Sequence, residues 1–208
     1  MDTIFYMWNF KPNERSKMHQ DVIRSNSIFI KKYSIVTPET IKPLITNDIF
    51  TNLVELYNLI PHWIVKADLG RLLVIYFNGG MYSDADCFIK KQFDKHNMVL
   101  FTEHICTSIQ ELGTREDKHP DNLTRVANYC FGSKTPRHPF IKEVVLECLR
   151  RLNQLLVVEN LKDLNSSHIL WVCGPDVITT VYHKLKHEHD IFLFDQSYLI
   201  HKRHGSWR

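Results

Sequence analysis

Residues 3–36 constrain the fold of this chain more than any other stretch. Thr3-Ile4-Phe5-Tyr6-Met7-Trp8 is a short apolar, β-prone run ending at Asn9, and Lys11-Pro12-Asn13 is a turn signal. From residue 14 to about 31, Met18, Val22, Ile23 and Phe29-Ile30 recur at roughly helical spacing, and residues 33–36 return to an extended pattern before Pro38. Strand, helix and strand in that order make a β-α-β opening. Such a unit favours a parallel sheet with helices packed on its faces, and the run 3–8 is expected as its first, central strand.

The remaining elements extend this α/β pattern. Two short helical patterns over residues 39–59 are separated by Pro43 and Asn47-Asp48, and an amphipathic helix is expected from Pro61 to Phe77, stopped by Asn78-Gly79-Gly80. Residues 81–89 read as a strand running into a turn, 98–102 and 125–131 as further strands, and 104–122 as a long polar surface loop. A long helix is expected over 139–156 and another over 175–187, where Pro175 suits a first helical turn. Two short strand-like pieces, 191–194 and 197–200, precede a basic tail, 201–208.

Length and composition fit one packed unit. The 208 residues, 44% hydrophobic and 24% charged, can bury one substantial core and exclude disordered and collagen-like architectures, so a single domain over 1–208 is expected. A formal charge of +3 is too small to imply a nucleic-acid partner. No apolar run approaches the roughly 20 residues of a membrane-spanning helix, and Met1-Asp2-Thr3 does not begin a signal peptide; the expected location is cytoplasmic. Five widely spaced cysteines without a C-x-x-C pair suit a reducing compartment.

The chemistry concentrates around Asp84 and Asp86. On an extended segment these carboxylates fall on one side with the small Ala85 between them. Their mutual repulsion is relieved by a cation, and an all-oxygen, incomplete ligand shell suits Mn²⁺ or Mg²⁺, which keeps positions open for the phosphates of a nucleotide diphosphate. A solvated turn is the bland alternative for the pair. Asp68 and Arg71, three apart on the preceding helix, share a face, and the Gly79-Gly80 turn folds the chain from that helix toward the acidic pair; an ordinary intrahelical ion pair is the alternative there. P-loop, dinucleotide-binding and nucleophile-elbow motifs are absent. His183 and His187 lie four apart on a helix but among Lys184, Lys186 and Glu188, which reads as a solvated face rather than a zinc site.

Asp68-x-x-Arg71 followed by Gly79-Gly80-Met81-Tyr82-x-Asp84-x-Asp86 resembles the sugar-nucleotide signature of the DXD glycosyltransferases. That group includes yeast-type initiating mannosyltransferases, the catalytic domains of clostridial glucosylating toxins and compact viral members of similar size. The resemblance implies a single-domain GT-A fold, a Rossmann-like, mixed but mostly parallel sheet flanked by helices, with a nucleotide sugar at the carboxyl ends of its strands. It implies that Trp8 lies near the base, that Asp68 and Arg71 contact the donor sugar, and that Asp84 sits by ribose, sugar and metal. The same resemblance implies that Asp86 ligates the metal, that Tyr82 lines the nucleoside pocket and that Asn128 lies near a sugar. It implies as well that the tail of His201, Lys202, His204, Ser206 and Trp207 folds over the donor, with His204 or Ser206 near metal or phosphate and Trp207 near phosphate or sugar.

The expected activity is metal-dependent transfer of a hexose from a UDP- or GDP-sugar to a hydroxyl of a glycan or glycoprotein. An inverting reaction needs a base, for which Asp176 and Asp195 are candidates; a retaining one does not. A nucleotide-sugar hydrolase or phosphodiesterase and an inactive nucleotide-sugar-binding module are the alternatives.

Overall fold

The computed structural model describes residues 1–11, 20–46, 49–93, 96–112, 115–158 and 164–202. Its strands are β1 (Thr3–Met7), β2 (Lys32–Val36), β3 (Gly80–Ser83), β4 (Cys87–Ile89), β5 (Met98–Ile105), β6 (Thr124–Val126), β7 (Cys130–Ser133), β8 (Ile191–Phe194) and β9 (Leu199–His201). Its helices are α1 (Gln20–Asn26), α2 (Pro38–Ile45), α3 (Leu53–Leu59), α4 (Trp63–Asn78), α5 (Pro139–Val158), α6 (Ser166–Val172) and α7 (Pro175–Leu185). The main sheet has the order β2-β1-β3-β7-β5-β6, with β8 on β5, and β4 and β9 form a separate two-stranded ribbon.

The sheet is mixed, and most of its strands point the same way. β1, β2, β3, β5 and β8 run one way, while β6 and β7 run the other. β1 is an interior strand between β2 and β3, as a strand apolar on both faces requires. Alternation along the strands divides two cores. Ile4, Tyr6, Met81, Val99, Phe101 and Cys130 face the core closed by α1 and the β4–β9 ribbon. Tyr82, Met98, Leu100 and Phe131 face the larger one, built from α2 to α7.

Several local expectations change. Residues 81–89 are two strands, β3 and β4, separated by a turn, because β4 leaves the main sheet to pair with β9. Residues 125–131 are likewise two strands, β6 and β7, with different registers on β5. The expected loop 104–122 begins inside β5, which runs to Ile105, and contains two short 3-10 turns. Residues 197–200 divide between a 3-10 turn and β9. The helix expected over 14–31 is described only as α1; residues 12–19 lie outside the described residues. Far from amphipathic, α4 is buried at every position from Ala67 to Tyr76, since it lies between the sheet and α5. The sequence reading missed α6, although Asn165 and His168 form a capping box that marks its start.

α4 delivers the chain to β3 through Gly79 and Gly80, whose φ values of 67° and 87° lie where side chains are disfavoured. Space excludes a side chain as well. A Cβ on Gly80 would stand 2.7 Å from the Thr3 carbonyl oxygen and 2.8 Å from the Phe5 ring. This close passage sets β3 beside β1, with their carboxyl ends together.

Candidate active site

The carboxyl ends of β1 and β3 and the amino end of antiparallel β7 meet at one edge of the sheet. Trp8 follows β1, Asp84 follows β3, and Asn128 and Tyr129 precede β7. The Asp84 N–H donates to the Tyr129 carbonyl at 2.8 Å, and the Cys87 N–H donates to the Asp84 carbonyl at 3.1 Å. The second bond closes a turn over 84–87, so the two carboxylates are brought together by a turn and not by alternation along a strand.

The β4–β9 ribbon brings the distant end of the chain to this turn. His201 lies opposite Cys87 in its register, and the Lys202 N–H donates to the Asp86 carbonyl at 3.0 Å. His201 Nε2 stands 3.2 Å from Asp86 Oδ1 and 3.8 Å from Asp84 Oδ2. Its ring stacks on Tyr129 with centroids 4.0 Å apart. Ligand atoms of Asp84, Asp86 and His201 lie within 4.8 Å of one another, and all three residues are partly accessible. Two carboxylates and one imidazole, each partly accessible, fit a divalent cation.

A buried layer holds the acidic pair from behind. Arg71 on α4 pairs with Asp68 at 2.6 Å, donates from Nη1 to the Asn128 carbonyl at 2.9 Å, and lies 3.5 Å from Asp84 Oδ1. The Tyr82 hydroxyl donates to the same Asp84 oxygen. Burial pushes the Asp68 carboxyl up to about 7 against the pull of Arg71, with Asp84 adding to the rise. Burial raises Asp84 too, while Arg71, Tyr82 and His201 act to lower it. The layer thus sets Asp84 by occupying Oδ1 and leaving Oδ2 toward His201.

Of the expected site residues, the structure gathers Asp68, Arg71, Tyr82, Asp84, Asp86 and Asn128. Tyr82 is 1% exposed and stands behind Asp84, so it supports the acid from within the core where the sequence suggested a pocket wall. Asn128 meets Arg71 through its carbonyl. Trp8 is half-buried, its N–H donating to the Val36 carbonyl at 2.8 Å. Asp176 and Asp195 stand in other groups. Asp176, buried in the first turn of α7, pairs at 3.0 Å with Arg125, which also pairs with Glu103 at 2.9 Å. Asp195 caps a 3-10 turn, accepting from the Ser197 N–H at 2.7 Å. His204, Ser206 and Trp207 lie outside the described residues. His183 Nε2 bonds the Thr124 carbonyl at 2.8 Å.

His201 is the residue whose place in the acid cluster the sequence did not reveal. It was expected only as part of a phosphate-facing tail. Its partner strand β4 has three residues, too short to show a period, and the signal lay only in the apolar run ahead of the tail.

Residues 12–104 match the family model described as the glycosyltransferase sugar-binding region containing the DXD motif. The fold is similar to that of a solved structure, the PaToxG glycosyltransferase, with a TM-score of 0.57 and 17% identity, over 88% of this chain and 69% of that one. No curated protein matches the chain. Among the described residues no helix is long and apolar enough to cross a membrane.

Proposed function

We propose, from the premise that this chain carries the sugar-binding region of a DXD-motif glycosyltransferase, that it moves a hexose from a nucleotide-diphosphate sugar to an acceptor hydroxyl in a metal-dependent reaction. The observation that carries the reading is the convergence of Asp84, Asp86 and His201 at the carboxyl ends of β1 and β3. Open α/β sheets bind ligands at that edge.

Asp84, Asp86 and His201 hold Mn²⁺ or Mg²⁺ in this reading, with His204 or Ser206 of the tail as further ligands. The cation supplies positive charge that offsets the charge developing on the departing diphosphate. Tyr82 and Arg71 hold Asp84 through Oδ1, which leaves Oδ2 toward His201. Asp68 and Arg71, buried behind the acids, form the floor of the donor-sugar site with Asn128 beside Arg71, and Trp8 offers an aromatic face to the base. Trp207 covers phosphate or sugar from the tail. Asp195, exposed after β8, takes the acceptor proton if the anomeric configuration inverts; Asp176, the other candidate, is buried against Arg125. We read residues 1–208 as one catalytic unit acting on a glycan or glycoprotein, and the five buried free cysteines support a reducing compartment such as cytoplasm.

Incubation with UDP- and GDP-hexoses, Mn²⁺ and candidate acceptors, followed by mass spectrometry, tests the reading. Glycosylated acceptor supports it. Free hexose with released nucleotide identifies a hydrolase, and donor binding without turnover identifies a binding module.

A further inference from the structure

Asn26, the last residue of α1, is fully buried and lies behind the turn that carries the two aspartates. Its side-chain amide treats β4 as a neighbouring strand would. Nδ2 donates to the Cys87 carbonyl at 3.0 Å, and Oδ1 accepts from the Ile89 N–H at 2.9 Å. The second Nδ2 hydrogen goes to the Tyr6 hydroxyl at 3.1 Å, tying the same amide to β1 of the main sheet. A primary amide has the donor and acceptor arrangement of a peptide group, so it completes one edge of a strand only three residues long. The other edge of β4 pairs with β9, which carries His201.

We propose that Asn26 is a positioning residue for the cation site: it fixes β4, and through β4 both the 84–87 turn and the ribbon strand that presents His201. This rests on the metal reading of Asp84, Asp86 and His201. The geometry is specific, because the Cys87 carbonyl that accepts from Asn26 belongs to the residue whose N–H closes the turn, and the Lys202 N–H returns from β9 to the Asp86 carbonyl. Without the amide, β4 keeps only β9 as a hydrogen-bonded strand partner, and the ribbon is anchored to the body chiefly by apolar packing. The three donor groups then sample wider separations.

The test compares Asn26→Ala and the shape-conserving Asn26→Asp with a control, Thr179→Val. Thr179 is also fully buried, and its hydroxyl bonds the Val126 N–H and carbonyl away from the β4–β9 ribbon. Amide hydrogen exchange in metal-free protein is read at Cys87 and Lys202, whose N–H groups Asn26 does not touch. Exchange at both is expected to quicken tenfold or more in the Asn26 variants and to be unchanged in Thr179→Val. Mn²⁺ titration followed by electron paramagnetic resonance is expected to give a tenfold weaker affinity for the Asn26 variants alone, with turnover recovering at excess Mn²⁺. If Asn26→Ala does not fold, Asn26→Asp carries the comparison, since it keeps the acceptor for Ile89. Parental exchange rates at Cys87 and Lys202, or rates raised equally by Thr179→Val, overturn the proposal. A parent that takes up no Mn²⁺ overturns the metal reading instead, and the exchange result then stands alone on whether Asn26 sets the turn.

Discussion

The Arg71 guanidinium lies 4.6 Å above the Tyr82 ring, and the two side chains converge on a single oxygen, Asp84 Oδ1. Tyr82→Phe keeps the ring under Arg71 and removes only the hydroxyl donor. Hydrogen bonds to a charged group contribute on the order of 1.5–3 kcal/mol, so urea unfolding is expected to show a loss in that range. Mn²⁺ affinity is expected to fall several-fold as Asp84 turns on its own axis. Unchanged affinity would mean that Arg71 alone fixes the acid.

His201→Ala removes one of the three groups of the cluster and leaves the backbone pairing of β9 with β4 intact. The expected result is Mn²⁺ affinity about tenfold or more weaker, at least as large as the loss of an outer-shell partner produces. Melting of the metal-free protein should fall modestly, because Tyr129 loses its stacking partner. Equal Mn²⁺ affinity in parent and variant would remove His201 from the site.

Asp68 makes stability depend on pH. Its carboxyl stands near 3.8 unfolded and about 7 folded, so the folded chain holds this proton more tightly. The stabilisation from that proton is fully present below the unfolded value and is lost as pH rises to about 7. Across that window the loss is on the order of 4 kcal/mol at most. Asp68→Asn is expected to flatten the pH dependence of urea unfolding between about 4 and 7. A variant whose profile parallels the parent's would assign the buried proton elsewhere.

Gly80→Ala tests the passage from α4 to β3. The added methyl meets the Thr3 carbonyl oxygen at 2.7 Å, and φ of 87° is unfavourable for alanine. Overpacking and backbone strain each cost about 1–3 kcal/mol, so thermal and urea unfolding should report a loss of at least 2 kcal/mol. A smaller loss would show that β3 can shift away from β1.

The order of elements and the acidic pair were legible because they rest on local signals. The apolar run ending at Trp8, the pattern 33–36 before Pro38 and the glycine stop after α4 each announce themselves within a few residues. The buried layer was legible only as chemistry: three-residue spacing puts Asp68 and Arg71 on one face, but it does not say that α4 is enclosed and that the pair faces Asp84. What failed were features set by long-range pairing. β4 separates from β3 because a strand more than a hundred residues later needs a partner, and no local pattern encodes that. Asn26 was invisible for the same reason, since a single asparagine at a helix end looks like any cap.

The measurement that bears most directly on the account is the melting temperature with a panel of UDP- and GDP-sugars, with and without Mn²⁺, in the parent and in Asp86→Asn. Ligands that bind only the folded state stabilise it by RT ln(1 + [L]/Kd), about 2.7 kcal/mol at a hundredfold excess over Kd. The account predicts a rise with at least one donor that requires Mn²⁺ in the parent and vanishes in a folded Asp86→Asn. An equal rise in parent and variant would contradict it.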